Sequence, residues 1–149
     1  MKIIDGLIYD TIGFTCSCFD LLHAGHIIML QYAKARCDKL IVGLQTDPTT
    51  DRPEKNKPIQ SLEERRIQLE AVKYVDEVFT YSTEKDLYKN LLDIKPDVRI
   101  LGSDYIGKSF TGDDLDIKIS YHDRNHNSST TNLREKIVSE HIHREATKR

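Results

Sequence analysis

Short apolar runs alternate along most of the chain with segments whose apolar residues recur at helical spacing. The run at residues 39–44 is almost continuously apolar, which is typical of a strand buried on both faces of a sheet. Strands are predicted in this way at residues 11–16, 39–44, 77–81, 98–101 and 117–121. Helices are predicted at residues 24–35, from Ser61 onward behind a Ser-Leu-Glu-Glu capping box, at 86–92 and at 130–143.

This alternation predicts βαβ units with right-handed crossovers. The expected fold class is α/β, a Rossmann-like three-layer fold with a central parallel sheet and helices on both faces. We expect one domain over residues 1–149, with its core at about 11–138, and the β-prone segment 2–9 is a candidate edge strand to which we assign no place. Ligands of such sheets bind beyond the carboxyl ends of the strands. The unusual polar segments fall at those ends, at residues 18–26, 46–57, 102–108 and 124–131.

Composition restricts the function classes. The chain has 149 residues, of which 38% are hydrophobic and 31% charged, and this balance predicts a folded, cytoplasmic protein. A net charge of −2 provides no general attraction to nucleic acid or to an anionic membrane, so neither is expected as a partner. No apolar run approaches the roughly 18 residues of a membrane span. The three cysteines, Cys16, Cys18 and Cys37, are interpreted as free thiols in a reducing compartment.

The most informative segment is Cys-Phe-Asp-Leu-Leu-His-Ala-Gly-His at residues 18–26, between a predicted strand and a predicted helix. A helix N-terminus offers unpaired N–H groups to an anion, and His23 and His26 add imidazole donors beside Gly25. A polyphosphate is the expected anion. The alternatives are a zinc pair, for which no further ligands show suitable spacing, and ordinary structural histidines. Asp20 is expected to cap the helix or to orient a histidine.

Basic residues follow in two places. The polar segment 46–60 carries Lys55 and Lys57, and a basic loop next to a phosphate site is able to close over a leaving pyrophosphate; the alternative is a solvated charged loop. Lys57 is favoured over Lys55. Arg65 and Arg66 lie one turn into the next helix, where one of the two guanidinium groups is expected to reach the phosphate edge.

A second phosphate-binding segment is predicted near the C-terminus. Arg124 precedes Ser129 and Thr130 at the start of the last predicted helix, where hydroxyl groups and unpaired N–H groups suit a phosphate. Simple N-capping is the alternative. Gly102 and Asp104 follow a buried strand, where a nucleobase has room to approach the backbone. Neither a Walker loop nor a glycine-rich dinucleotide motif is present, and no nucleophile–base pair indicates covalent catalysis.

Together these motifs resemble those of the HxGH nucleotidyltransferases over residues 11–138, and within them most resemble the glycerol-3-phosphate cytidylyltransferases. The resemblance implies that CTP and a phosphorylated small alcohol, expected to be glycerol 3-phosphate, give a CDP-alcohol and pyrophosphate. It also implies Mg²⁺ and a homodimer. The residues that it implies are catalytic His23, His26, Lys57 and Arg124, nucleotide-binding Cys18, Phe19, Asp20, Gly102, Asp104, Ser129 and Thr130, and acceptor-binding Arg65, with no metal-ligating residue.

The expected mechanism is direct in-line attack of an acceptor phosphate oxygen on the α-phosphorus, without a general base. Two alternatives stay open, an adenylyltransferase that uses ATP and a sugar phosphate, and a nucleotide-binding module without turnover. The pair Ser17 and Cys18 departs from the resemblance, because glycine and threonine are usual there.

Overall fold

The computed structural model describes residues 1–123 and 129–148. The chain begins with an antiparallel hairpin of β1 (Lys2–Ile4) and β2 (Leu7–Tyr9). Its two-residue turn has positive φ at Asp5 (51°) and Gly6 (79°), as a type I′ hairpin turn requires. Residues 2–9, a candidate edge strand in the sequence, therefore form a separate two-stranded sheet rather than an edge of the main sheet.

The main sheet confirms the predicted α/β class. Within the described residues it has five strands, all parallel, in the order β5-β4-β3-β6-β7. The predicted elements are all present, with ends that differ by at most a few residues. In chain order they are β3 (Ile12–Ser17), α1 (Ala24–Lys34), β4 (Lys39–Gln45), α2 (Leu62–Glu70), β5 (Glu77–Tyr81), α3 (Glu84–Ile94), β6 (Val98–Gly102), β7 (Lys118–His122) and α4 (Thr130–Thr147).

Helices cover both faces of the sheet because side chains alternate along each strand. On one face Leu30 of α1 and Leu69 of α2 pack on Val42 and its neighbours. On the other face Leu87 and Leu91 of α3 pack on a cluster that includes the remaining inward residues of β3 and β4. Strand β4, which lies between β5 and the central strand β3, is buried along its whole length, as its continuous apolar run predicted.

Helix starts follow the capping signals. Ser61 Oγ accepts the N–H of Glu64 at 3.1 Å, and Glu64 Oε1 accepts the N–H of Ser61 at 3.0 Å, so the predicted capping box is confirmed. Thr83 and Asp86 form the same arrangement at the start of α3. These boxes satisfy N–H groups that helices leave unpaired, and so they set where α2 and α3 begin.

Three aspartates close the amino edge of the sheet, each one residue before a strand. Asp38 Oδ2 accepts the N–H of Thr11 at 2.9 Å, and Asp97 Oδ2 accepts that of Ile12 at 2.8 Å. Asp76 Oδ2 accepts the N–H of Leu40 at 2.7 Å. These carboxylates satisfy N–H groups at the starts of neighbouring strands, and a ligand is expected at the opposite, carboxyl edge.

The direction of chain progression reverses between β3 and β6, which are neighbours in the sheet although two βα units separate them in sequence. This reversal is the topological switch point at which open α/β sheets bind ligands. None of the helices in the described part of the chain has the length and apolar character needed to cross a membrane.

Candidate active site

A cleft of about 710 Å³ opens at the carboxyl ends of the strands, at the switch point. Each of the loops singled out in the sequence contributes to its wall. Described residues that line it include His23, Lys55, Asp104 and Ser129, one from each loop. The fold therefore brings together segments that are more than a hundred residues apart in the chain.

The two motif histidines cap helix α1 themselves. His23 is the N-cap residue, and its Nδ1 accepts the N–H of Gly25 at 3.0 Å. Nδ1 of His26 accepts the N–H of His23 at 3.2 Å, and the two rings stack with centroids 3.9 Å apart. Because each Nδ1 accepts a hydrogen bond, each neutral ring carries its proton on Nε2. Both histidines line the cleft, so the cap leaves each ring with its N–H donor, Nε2–H, at a helix N-terminus in the cleft.

The backbone before the histidines is strained. Phe19 and Leu21 have φ of 49° and 51°, a region that bulky residues rarely adopt. Burial of the Phe19 ring and a 2.8 Å hydrogen bond from the Leu21 N–H to Gln60 Oε1 hold this conformation. Phe19, predicted to bind nucleotide, lies in the core beside the ring of His26, with centroids 5.3 Å apart. Its position favours support of His26 over direct contact with a ligand.

Asp20 lines the cleft and joins three parts of the chain. It is 4% exposed, and its carboxylate accepts the N–H groups of Ile59 at 2.9 Å and Gln60 at 3.0 Å. Arg134 Nη2 donates to Asp20 Oδ2 at 2.6 Å, and Thr130 Oγ1 donates to the Asp20 carbonyl at 3.0 Å. Burial opposes ionisation of Asp20, but these N–H groups and Arg134 together hold its pKa below the ordinary range. The expectation that Asp20 caps α1 is wrong, because His23 occupies that position.

Arg65 lies beneath the cleft rather than in its wall. It is 2% exposed, and its guanidinium donates to the carbonyls of Cys18 at 2.9 Å, Gln45 at 2.6 Å and Thr46 at 2.6 Å. Nε donates to the carbonyl of Gln60 at 3.2 Å. One side chain thus fixes the ends of β3 and β4 relative to α2. This placement favours a positioning role over the predicted contact with the acceptor.

Cys18 lines the cleft next to the Arg65 guanidinium. Burial raises the pKa of its thiol, against an opposing effect of Arg65. The side chain is therefore a neutral thiol near pH 7, and it suits packing against a nucleotide better than nucleophilic attack.

The basic loop presents a different lysine from the one predicted. Lys55 lines the cleft together with Arg52, whereas the exposed side chain of Lys57 lies outside the cleft wall. The backbone carbonyl of Lys57 accepts Arg134 Nη2 at 3.1 Å. A role for the Lys57 ammonium on phosphate stays a prediction that requires movement of the loop.

The start of α4 is the second predicted phosphate segment. Ser129 is its N-cap, with Oγ accepting the N–H of Asn132 at 3.0 Å, and both Ser129 and Thr130 line the cleft. Gly102 and Asp104 line it from the end of β6. Arg124 lies outside the described residues, so its predicted role is untested.

Two arginines of the site were missed in the sequence. Arg134 stands one helical turn after Thr130, a spacing that places both side chains on one face of α4 and that could have signalled it. Arg99 stands within the apolar strand β6 and lines the cleft at 3% exposure. A charged residue inside a strand that is otherwise apolar was the available signal for Arg99.

Comparisons with known proteins agree with this geometry. The model of the cytidylyltransferase-like family matches residues 14–136. The bifunctional protein HldE of Wolinella succinogenes is 45% identical over 105 residues, which are 70% of this chain and 22% of that protein. HldE of Helicobacter pylori is 36% identical over 141 residues, which are 94% of this chain and 30% of that protein. The chain therefore spans less than a third of the length of these relatives.

Solved structures show the same fold. The lipopolysaccharide core biosynthesis protein of Thermoplasma volcanium superposes with a TM-score of 0.59 at 26% identity, covering 76% of this chain and 98% of that one. Pantothenate synthetase of Thermus thermophilus superposes with a TM-score of 0.55 at 14% identity, over 76% of this chain and 56% of that one. The family match covers most of the chain, including both motif histidines. The chain belongs to the cytidylyltransferase-like family, within the HxGH nucleotidyltransferases.

Proposed function

We propose that this chain transfers a nucleotidyl group, and specifically an adenylyl group from ATP, to the phosphate of a sugar phosphate. One observation carries the reaction type: the Nδ1 atoms of two histidines accept hydrogen bonds in the cap of α1, so that each neutral ring carries its N–H donor on Nε2 at a helix N-terminus in the cleft. Such donors stabilise charge that develops on phosphate oxygens.

The choice of substrates rests on the relatives. Similarity to HldE favours ATP with a sugar phosphate over the predicted CTP with glycerol 3-phosphate. The similar protein of Thermoplasma volcanium is a lipopolysaccharide core biosynthesis protein, which is consistent with a sugar acceptor. The description of the family as cytidylyltransferase-like keeps CTP and a phosphorylated alcohol as the second candidate.

The proposed mechanism is in-line displacement. A phosphate oxygen of the acceptor, already ionised at pH 7, attacks the α-phosphorus while the bond to the pyrophosphate oxygen breaks, so no general base is needed. Catalysis then consists of positioning and charge stabilisation. His23 and His26 donate to the triphosphate, the basic loop attracts the leaving pyrophosphate, and the α4 N-terminus holds the nucleotide.

The residues in the cleft fit Mg²⁺ that is delivered by the nucleotide. No group of three potential metal-ligating side chains is found among residues 1–123 and 129–148. Mg²⁺ commonly binds through substrate phosphates and one or two carboxylates, and Asp104 is a carboxylate that lines this cleft. The ion would neutralise phosphate charge.

Incubation with [α-³²P]ATP or [α-³²P]CTP and a panel of acceptors tests both candidates. The panel holds hexose 1-phosphates, heptose 1-phosphates and glycerol 3-phosphate. We expect labelled nucleotide-sugar and pyrophosphate with ATP and a sugar 1-phosphate. Turnover with CTP and glycerol 3-phosphate alone would replace the first candidate by the second. Tight nucleotide binding with no pyrophosphate release for any pair would show a binding module instead. Sedimentation of the purified chain tests the predicted homodimer.

A further inference from the structure

Arg99 is a buried cation whose charge is only partly matched by its surroundings. Nη1 donates to the carbonyl of Thr111, and Nη2 lies 3.9 Å from Cys16 Sγ. The guanidinium carbon lies 5.8 Å from the ring centroid of Phe14 and 5.2 Å from that of Phe110. Nε is buried without a hydrogen-bond partner, and no ion pair of Arg99 occurs among the described residues.

A buried guanidinium without a carboxylate is costly, because desolvation of the charge is not offset. The nearby carboxylate of Glu84 already has partners: Oε2 accepts Thr111 Oγ1 at 2.8 Å, and Oε1 lies 3.4 Å from Arg52 Nη2. Tyr81 and Cys16, which share this region, add no negative charge near pH 7 because burial raises both pKa values. Of the residues that line the cleft here, Arg52 and Arg99 therefore carry two positive charges against the one carboxylate of Glu84, since the Asp51 carboxylate, which accepts the Glu84 N–H, does not line it.

The positive region forms a separate lobe of the same cleft. Arg99 faces the α3 side of the sheet, since its neighbours Val98 and Ile100 pack in the core on the α1 side. The histidines lie at the start of α1. Lining residues of this lobe also include Tyr81, Glu84 and Thr111. A reaction of two phosphate-bearing substrates needs a second anion site beside the first.

We infer that Arg99 binds the phosphate of the acceptor in this lobe, an inference that rests on the proposed function. A guanidinium presents its N–H groups in a fork that matches phosphate oxygens. Nε, which has no protein partner within the described residues, supplies one donor of that fork. Arg99 thereby separates the acceptor phosphate from the nucleotide phosphates, which bind on the histidine side.

A purely structural role for Arg99 makes a different prediction. In that case the cation would only join β6 to the loop at Thr111, and its replacement would lower stability without changing ligand affinity. Binding measurements that do not depend on turnover therefore separate the two roles.

The test is a titration of the full chain with α,β-methylene-ATP at saturation, so that the histidine side is occupied. Mannose 1-phosphate and inorganic phosphate are the probes, and calorimetry is the readout. The variants are Arg99→Met, Arg99→Lys and, as a control on the exposed part of α4, Arg144→Met. We expect Arg99→Met to weaken binding of mannose 1-phosphate by at least about tenfold, with affinity for the ATP analogue within about twofold of the wild type.

Arg99→Lys keeps the charge but loses the fork, and we expect it to weaken binding by about threefold or more. If Arg99→Met does not fold, Arg99→Lys is the variant that tests the inference. Unchanged affinity in the folded Arg99 variants, or no saturable binding of either probe to the wild type, overturns the inference. Suppose that the wild-type chain transfers no nucleotide to any acceptor, but that Arg99→Met still loses phosphate binding. The anion site at Arg99 is then retained, and only the proposed function is overturned.

Discussion

Arg134 Nη2 lies 2.6 Å from Asp20 Oδ2, and this ion pair joins the last helix to the loop after the first strand of the main sheet. The same nitrogen reaches the carbonyl of Lys57 at 3.1 Å. Thr130 Oγ1 adds a hydrogen bond to the Asp20 carbonyl at 3.0 Å. Asp20 is thus the point at which both predicted phosphate segments and the basic loop meet.

Asp20→Asn is expected to lower stability in a way that depends on pH. The pKa of Asp20 is lowered in the folded state, so the unfolded chain binds more protons and the stabilisation by this carboxylate is fully present only above the unfolded pKa of about 4. Its contribution disappears as the pH falls through the lower folded value. The difference in free energy of unfolding between wild type and Asp20→Asn should therefore be largest above about pH 5 and narrow below about pH 4. Urea unfolding between pH 3 and 7, with exposed Asp93→Asn as control, measures it; a difference that does not vary with pH would contradict this role.

His26→Asn is expected to keep the cap of helix α1 but to remove the Nε2–H donor that contacts phosphate in the proposed mechanism. The amide oxygen of asparagine occupies a position close to that of Nδ1, so it is able to accept the N–H of His23, but it replaces no Nε2–H. We expect kcat to fall by about 10²–10³ with little change in the melting temperature. The exposed His143→Asn is the control. Near-normal turnover by a folded His26→Asn variant would contradict the proposed mechanism.

Arg65→Met is expected to act on stability. Replacement leaves four buried or part-buried carbonyl groups without their cationic donor, at a cost of about 3–5 kcal/mol in the free energy of unfolding. Arg66→Met, one residue along the same helix, should cost far less. Urea unfolding of both variants makes the comparison. If Arg65→Met were as stable as wild type but had a raised KM for the acceptor, the acceptor-binding role predicted from the sequence would be correct.

Gly13→Ala is expected to destabilise the fold through one contact. A Cβ at residue 13 would lie 2.6 Å from Cys37 Sγ and 2.9 Å from Cys37 Cβ, so the two side chains cannot both keep their places. We expect a loss of about 1–3 kcal/mol for Gly13→Ala, as in other overpacked cores. Thermal unfolding of Gly13→Ala, Cys37→Ala and the double variant forms a mutant cycle. The double variant should recover only the part of the loss that Sγ causes, because alanine at residue 37 keeps the Cβ at 2.9 Å, and purely additive effects would refute the clash with Sγ.

Lys55 and Lys57 are expected to differ in their effect on the nucleotide. Only Lys55 lines the cleft, so Lys55→Gln should raise KM for ATP more than Lys57→Gln does. Steady-state kinetics of both variants decides between them. A larger effect of Lys57→Gln, above all on kcat, would support the sequence-based prediction and would show that the loop rearranges during turnover.

Local sequence signals were sufficient to predict the helices and strands and the type of site. The capping box at Ser61, the continuous apolar run of β4 and the histidine motif each act within a few residues, where spacing translates directly into structure. The Asp5–Gly6 turn carries a further local signal, because an Asp-Gly pair between β-prone residues favours a tight hairpin.

Long-range partners could not be predicted in the same way. The family resemblance implied that Arg65 binds the acceptor, but carbonyls from two other segments, at Cys18 and at Gln45–Thr46, surround its guanidinium. In the sequence Arg99 is a single charged residue within a predicted strand, and nothing near it in the chain indicates its partners. Whether a buried cation meets carbonyl groups, a carboxylate or open space depends on which strands become neighbours.

The sequence by itself determined a parallel α/β fold, a phosphate site at the histidine motif and membership of the nucleotidyltransferases, because periodicity, caps and short motifs are local properties of the chain. Tertiary structure alone decided that His23 caps α1, that Asp20 and Arg134 join distant loops, and that Arg99 remains without an ion pair in the described part of the chain. The physical reason is that burial and pairing of charges arise only when strands far apart in sequence are brought side by side.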